Sequence, residues 1–274
     1  MAKDIDEAIR AVKAGFPIPN YIGDTVSVNS YASVARTVQR HLPAGKRILD
    51  FGCGPMDKTA VLQQLGYVCA GYDDLGDHWH HTRREIIMKF AREQGIDFRL
   101  AGPDFPFPPR TFDMVMMHDV LEHLHDSPRE LLTTLVATIR DGGLLFATVP
   151  NAGNIRKRIS LMFGGTNLPN FDYYYWLPDP WRGHVREYVR GDLVKLASYM
   201  GLRIKELKSA HHMLFRVPPA LRRSYRVATA VVPGWRDTWV LVAEKPIGWT
   251  STIIDPEKRA RIAAKINPRT PTPE

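Results

Sequence analysis

Leu49-Asp50-Phe51-Gly52-Cys53-Gly54 constrains this chain more than any other stretch. An apolar run ends in an acid and then a glycine loop, which predicts a buried strand turning sharply into a helix. That helix should run from about Asp57 to Leu65 and stop at Gly66. Gly52 and Gly54 lack a Cβ, so the backbone can turn tightly and let a ligand approach. The start of the following helix offers that ligand unpaired N–H groups.

Three details narrow the ligand. The dinucleotide fingerprint requires a third glycine three residues on, where Asp57 stands instead. Asp50 beside the loop repels a pyrophosphate and attracts an ammonium, which disfavours a nicotinamide dehydrogenase. Asp73 follows a second apolar run, Tyr67-Val68-Cys69-Ala70-Gly71-Tyr72, where an acid can accept bonds from two ribose hydroxyls. A ribose with an amino-acid ammonium and no phosphate is S-adenosylmethionine.

With these come three further blocks in order: Phe112-Asp113-Met114-Val115, Asp119-Val120-Leu121-Glu122-His123-Leu124 and Asp141-Gly142-Gly143-Leu144-Leu145. The series, spanning roughly residues 46 to 206, resembles the class I S-adenosylmethionine-dependent methyltransferases, in the branch similar to ubiquinone-biosynthesis O-methyltransferases. The resemblance implies a doubly wound, mostly parallel seven-stranded α/β sheet with a lid inserted after the fifth strand. It implies that Asp50, Gly52, Gly54 and Asp73 hold the cofactor, with Asp74, Asp104 and His118 around it. Asp104 lies slightly displaced from the acid that such relatives use for the adenine amino group.

The length and composition agree with one such domain plus additions. The chain has 274 residues, 44% of them hydrophobic and 24% charged. Expected divisions are 1–45 for N-terminal helices that cover the cofactor, 46–250 for the methyltransferase domain, and 251–274 for a C-terminal appendage. No apolar run has the roughly 18 residues of a membrane span. The start, Met1-Ala2-Lys3-Asp4, does not read as a secretory signal. Cys53 and Cys69 form no disulfide framework, and cytoplasmic residence is expected. The net charge of +8 lacks any zinc-finger or RNA-recognition spacing, so nucleic acid is a minor reading.

Along the chain, Ser30 should cap a helix from Tyr31 to His41 with Val34, Val38 and Leu42 inward. Tyr31 serves either as a cofactor lid or as a packed aromatic. Asp77-His78-Trp79-His80-His81 reads as a solvated loop rather than a metal site, and Thr82 to Gln94 as a helix. Ser127-Pro128-Arg129-Glu130 starts another helix, stopped by Gly142-Gly143. Residues 152–183 carry Tyr173-Tyr174-Tyr175-Trp176, and so long a connection suits an acceptor wall or lid. The basic stretch from Phe215 to Arg226 reads first as a solvated helix face, and second as a surface for an anionic bilayer or lipid-linked glycan.

Methyl transfer to an alcohol needs alignment and a base or a metal to take the proton. His118, His123, His125 and His184 stand near strand ends, and His123 and His184 are the favoured acceptor-side residues. Asp119, Glu122 and His123 fall at i, i+3 and i+4, on one face of a helical turn. Some relatives bind a cation with such a turn and a later histidine, a place His184 matches. A divalent metal on Asp119, Glu122, His123 and His184 is weighed below simple anchoring of the helix. The sequence reading is an O-methyltransferase acting on a hydroxyl of a sugar, glycan or other small metabolite. Its rival is a non-enzymatic scaffold that binds the cofactor.

Overall fold

The computed structural model describes residues 4–23, 28–177, 180–251 and 256–266. Two helices, α1 (Ile5–Gly15) and α2 (Val28–His41), precede β1 (Arg47–Phe51) and α3 (Asp57–Gln64). Next come β2 (Val68–Asp73), α4 (His78–His81), α5 (Arg84–Glu93), β3 (Asp97–Leu100) and β4 (Phe112–His118). After a 3-10 turn at Leu121–His123 follow α6 (Pro128–Thr138) and β5 (Ile139–Pro150). The insertion carries α7 (Ile155–Met162) and α8 (Phe171–Trp176). The chain continues through α9 (Arg190–Tyr199), β6 (Arg203–Ala210), α10 (Arg222–Val231), β7 (Thr238–Glu244) and α11 (Pro256–Ile266).

The seven strands lie in the order β3-β2-β1-β4-β5-β7-β6, with β7 antiparallel to both its neighbours. Strand order reverses between β1 and β4, so the ligand crevice opens beyond their carboxyl ends. The register sets Pro150 against Thr238 and Thr238 against Ala210. The end of β6 and the start of β7 therefore share that edge.

Each sheet face buries its own apolar set, because alternate strand residues point to opposite sides. Ile48, Met114, Met116 and Phe146 face α1, α2, α3 and α5. Leu49, Val115, Met117 and Leu145 face α6 and α9. Ile5, Ala8, Ile9 and Val12 of α1 belong to the first set, as do Val34, Val38 and Leu42.

Several boundaries differ from the sequence reading. Helix α2 begins at Val28, ahead of Ser30. Residues 78–81 form a helical turn and not a loop, and α5 starts only at Arg84. Helix α6 ends at Thr138, and β5 takes up Gly142 and Gly143. A Cβ on Gly143 would lie 2.8 Å from the Asp113 carbonyl, so that glycine serves close strand packing rather than helix termination. The proline-rich end beyond Ile266 lies outside the described residues.

Candidate active site

The cofactor side grows from the turn after β1. Gly52 and Gly54 adopt φ of 70° and 53°, the left-handed region that side chains disfavour. The loop is also crowded: a Cβ on Gly52 would lie 2.5 Å from Val120 Cγ2, and one on Gly54 3.3 Å from the His80 ring. His80 is thus packed on the loop, which corrects its assignment to solvent. Asp73 ends β2 and accepts from the Gly54 N–H at 2.8 Å and the Leu75 N–H at 2.6 Å. Each of its oxygens keeps a lone pair for a ribose hydroxyl. Burial raises its pKa, while those two bonds oppose the rise.

Asp50 is buried at the end of β1. Its Oδ2 accepts from Thr59 at 2.6 Å, and its Oδ1 has no partner. Burial pushes its pKa up to about 7. A buried, unpartnered carboxyl oxygen beside two left-handed glycines fits the ammonium of S-adenosylmethionine.

Tyr31 is buried and its hydroxyl donates to Asp57 Oδ2, tying α2 to the cofactor loop. The burial and that contact match the reading of Tyr31 as a packed aromatic that holds the helix down. Beyond β2, the Tyr72 ring meets Phe51 at 5.6 Å and Phe105 at 5.0 Å, and Phe107 continues the cluster against Phe112 at 5.1 Å. The Phe-Pro-Phe element is therefore anchored by its rings.

Three further residues are expected around the cofactor, Asp104, Asp74 and His118. Asp104 is exposed. Asp74 is committed to Arg182, at 2.9 and 3.1 Å, and to the Gly76 N–H, so it latches the insertion to the end of β2. His118 is buried, with Nδ1 3.2 Å from Thr148 Oγ1 and Nε2 unpartnered. Burial, aided by the Lys58 charge, lowers its pKa well below the usual histidine range.

The acceptor side is built on Glu122. Its side chain is wholly buried, and neither carboxyl oxygen has a hydrogen-bond partner. Burial, with nearby Asp119 adding to it, raises its pKa to about 9. Glu122, His123 and His184 bring ligand atoms within 4.8 Å of one another. His123 Nδ1 lies 2.6 Å from the Arg182 carbonyl, and His184 Nδ1 lies 2.9 Å from Glu187 Oε1. Both partners are acceptors, so both Nδ1 atoms carry a proton, and in a neutral ring Nε2 is then the atom with the lone pair. His184 Nε2 is 4.0 Å from Glu122 Oε1. The Glu122 carbonyl accepts the Val185 N–H at 2.7 Å, which pins the His184 segment beside the turn.

Asp119 does not join this face. Its φ is 54°, which breaks the turn before Leu121, and its Oδ1 accepts from Thr148 at 3.2 Å. The expected i, i+3, i+4 helical face is therefore reduced to Glu122 and His123. His125, the remaining strand-end histidine, meets the Trp181 carbonyl at 2.8 Å.

Other polar groups at this edge escaped the sequence reading. His212 is buried and approaches Ser33 of α2 at 3.0 Å, while its N–H and that of Met213 donate to Asp237. His212 and Asp237 flank the segment between β6 and β7 that carries α10, and Ser33 lies far earlier in the chain, so no local spacing signals them.

Residues 29–207 match the family model described as a methyltransferase domain. The chain belongs to the class I S-adenosylmethionine-dependent methyltransferases. S-adenosylmethionine is the cofactor of that family, and the acid, glycines and ribose-side carboxylate described above fit it.

Among curated relatives, the methyltransferase is 24% identical to a ubiquinone biosynthesis O-methyltransferase of Aeromonas salmonicida, over 61% of this chain and 67% of that enzyme. An uncharacterized methyltransferase of Schizosaccharomyces pombe is 30% identical over 46% of this chain and 48% of its own length. The human mitochondrial ubiquinone biosynthesis O-methyltransferase is 25% identical over 48% and 37%. The chain thus spans about half the length, or less, of the latter two relatives.

Among solved structures, an S-adenosylmethionine-dependent methyltransferase of Aquifex aeolicus aligns with TM-score 0.51 at 12% identity, over 89% of this chain and 99% of that one. The [4+2]-cyclase SpnF aligns with TM-score 0.51 at 17% identity, over 90% and 98%. These likenesses concern the fold, and a cyclase among them shows that the fold alone does not choose the chemistry.

Proposed function

We propose that this chain O-methylates a hydroxyl on a small ring-bearing acceptor, a sugar or other metabolite, at the Glu122–His123–His184 cluster. One observation carries the reading: a fully buried, unpartnered carboxyl faces two imidazoles whose Nδ1 atoms are already engaged. Relatives named as O-methyltransferases support oxygen as the accepting atom.

Transfer from a sulfonium is an in-line displacement, so the protein contributes chiefly by aligning the hydroxyl with the methyl group. The hydroxyl proton passes to an imidazole Nε2 as the oxygen attacks. Burial and neighbouring His184 lower the His123 pKa, so its ring stays neutral and basic at pH 7. Glu187 orients His184 by accepting a hydrogen bond from its Nδ1–H, and Lys157 in turn holds Glu187.

The same three residues fit a divalent cation. A buried carboxyl with no donor must be either neutral or paired with positive charge, and the Nδ1 bonds are the outer-shell contacts that metal-binding histidines make. Glu122, His123 and His184 would hold the cation, which would acidify the acceptor hydroxyl.

Turnover measured after chelation and dialysis, then with Mg²⁺, Mn²⁺ or Zn²⁺ returned, separates the two. Loss and recovery are expected if the cation is held there. Full activity of the stripped enzyme would leave the imidazoles as sole bases. The rival reading, a non-catalytic scaffold, predicts tight cofactor binding and no turnover across an acceptor screen, with Glu122→Gln changing neither.

A further inference from the structure

Lys58 is the second residue of α3, immediately beyond the cofactor loop. A cation is misplaced there by helix electrostatics, because first-turn N–H groups already present positive charge. Its side chain nevertheless folds inward and is 26% exposed. The ammonium lies 5.4 Å from the centroid of the Tyr31 ring and 3.8 Å from Asp57 Oδ2. The latter distance is too long for a hydrogen bond. Asp57 instead takes the Tyr31 hydroxyl, so Lys58 is not locked to it. Asp119 and Asp50 also act on the ammonium, and the ammonium acts on the rings of His118 and His212. Those groups come from the ends of β1, β4 and β6, so Lys58 stands over the crevice between β1 and β4.

The direction of the cofactor decides which part meets Lys58. Asp73 fixes the ribose at the β2 side of the crevice. The amino-acid end must then extend the other way, toward β4 and α2. Asp50, Asp57 and Asp119 lie there, and a carboxylate entering among three acids would be repelled without a cation. We propose that Lys58 is the counter-ion of the cofactor's methionyl carboxylate, while the unpartnered Asp50 Oδ1 accepts from the methionyl ammonium.

The inference rests on S-adenosylmethionine as the ligand and concerns binding, so it is tested without turnover. Calorimetry would compare S-adenosylhomocysteine, which has the amino-acid end, with 5′-methylthioadenosine, which lacks it. Lys58→Met should weaken S-adenosylhomocysteine by roughly tenfold or more, the worth of one charge-assisted bond. The same variant should leave 5′-methylthioadenosine affinity within about twofold, and Lys58→Arg should restore part of the loss.

Equal loss for both ligands would make Lys58 a loop-folding residue and overturn the proposal, as would unchanged S-adenosylhomocysteine affinity. Should Lys58→Met not fold, the wild-type protein still decides. Decarboxylated S-adenosylmethionine should bind it roughly tenfold more weakly than the complete cofactor, and equal affinity overturns the assignment. Failure of the wild type to bind any of these ligands would instead count against the cofactor itself.

Discussion

Gly52 combines two penalties for a side chain, a φ of 70° and a Cβ position 2.5 Å from Val120 Cγ2. The backbone part costs an alanine about 1–2 kcal/mol. Gly52→Ala should therefore melt earlier and bind S-adenosylmethionine more weakly, and adding Val120→Ala should recover only the contact part. Unchanged melting and affinity in the single variant would remove this loop from the cofactor site. Asp50 gives a pH signature. Burial raises its folded pKa to about 7, above its unfolded value of about 4. Folding then favours the protonated form, so this stabilisation is full below the unfolded pKa and lost as pH rises through 7. The unliganded wild type should lose stability relative to Asp50→Asn between about pH 4 and 7, then run parallel to it. Denaturant unfolding across that range measures the slope, and saturating S-adenosylhomocysteine, by bringing an ammonium, should flatten it. Parallel profiles throughout would mean that Asp50 is already ionised in the free protein.

Elements with strong local signals are legible in the sequence alone. The run into Asp50, the glycine loop and the acid that ends β2 each follow from short-range rules, and the alternation of strands and helices gave the sheet. The acceptor side was legible only in part. His123 and His184 were named, but Asp119 was misplaced because a left-handed residue interrupts the turn, and nothing in Asp-Val-Leu-Glu-His reports that φ. Arg182 reaches Asp74 and Lys157 reaches Glu187 across long sequence separations, which periodicity cannot see. The insertion is the element where local rules gave most and decided least. Its ends are fastened by Lys157 to Glu187 and by Arg182 to Asp74, while neither α7 nor α8 buries a residue. Tyr175 and Trp176 are 63% and 77% exposed, so truncating them removes little packing. Tyr175→Ala and Trp176→Ala should raise the acceptor KM or lower kcat/KM, with melting temperature and S-adenosylmethionine affinity nearly unchanged. Parallel losses of stability and cofactor binding would make the insertion structural cover.

At the scale of the molecule, exposed cations and exposed apolar side chains share two neighbouring helices, α7 and α10. Ile155 of α7 packs against Leu214, Val217 and Tyr225, so the insertion and α10 stand side by side. Met162 and Phe163 at the end of α7 are 79% and 84% exposed, and Leu221, Val227 and Val231 are exposed around α10. Arg158, Arg223 and Arg226 are exposed on the same two helices. Among the described residues no helix is long and apolar enough to cross a membrane. Apolar side chains mixed with cations instead suit an anionic bilayer surface, where each basic group adds about 1 kcal/mol and each inserted ring adds apolar burial. The prediction is that the protein co-sediments with vesicles containing phosphatidylserine and much less with phosphatidylcholine alone. Raising salt should release it, since exposed charges are screened beyond about 10 Å at 0.1 M. Phe163→Ser and Arg223→Glu should each weaken vesicle binding while S-adenosylmethionine affinity holds, because neither residue belongs to the cofactor crevice. No sedimentation with anionic vesicles, or sedimentation indifferent to both substitutions, would rule out this face as a lipid-binding surface and leave its apolar side chains to the acceptor alone.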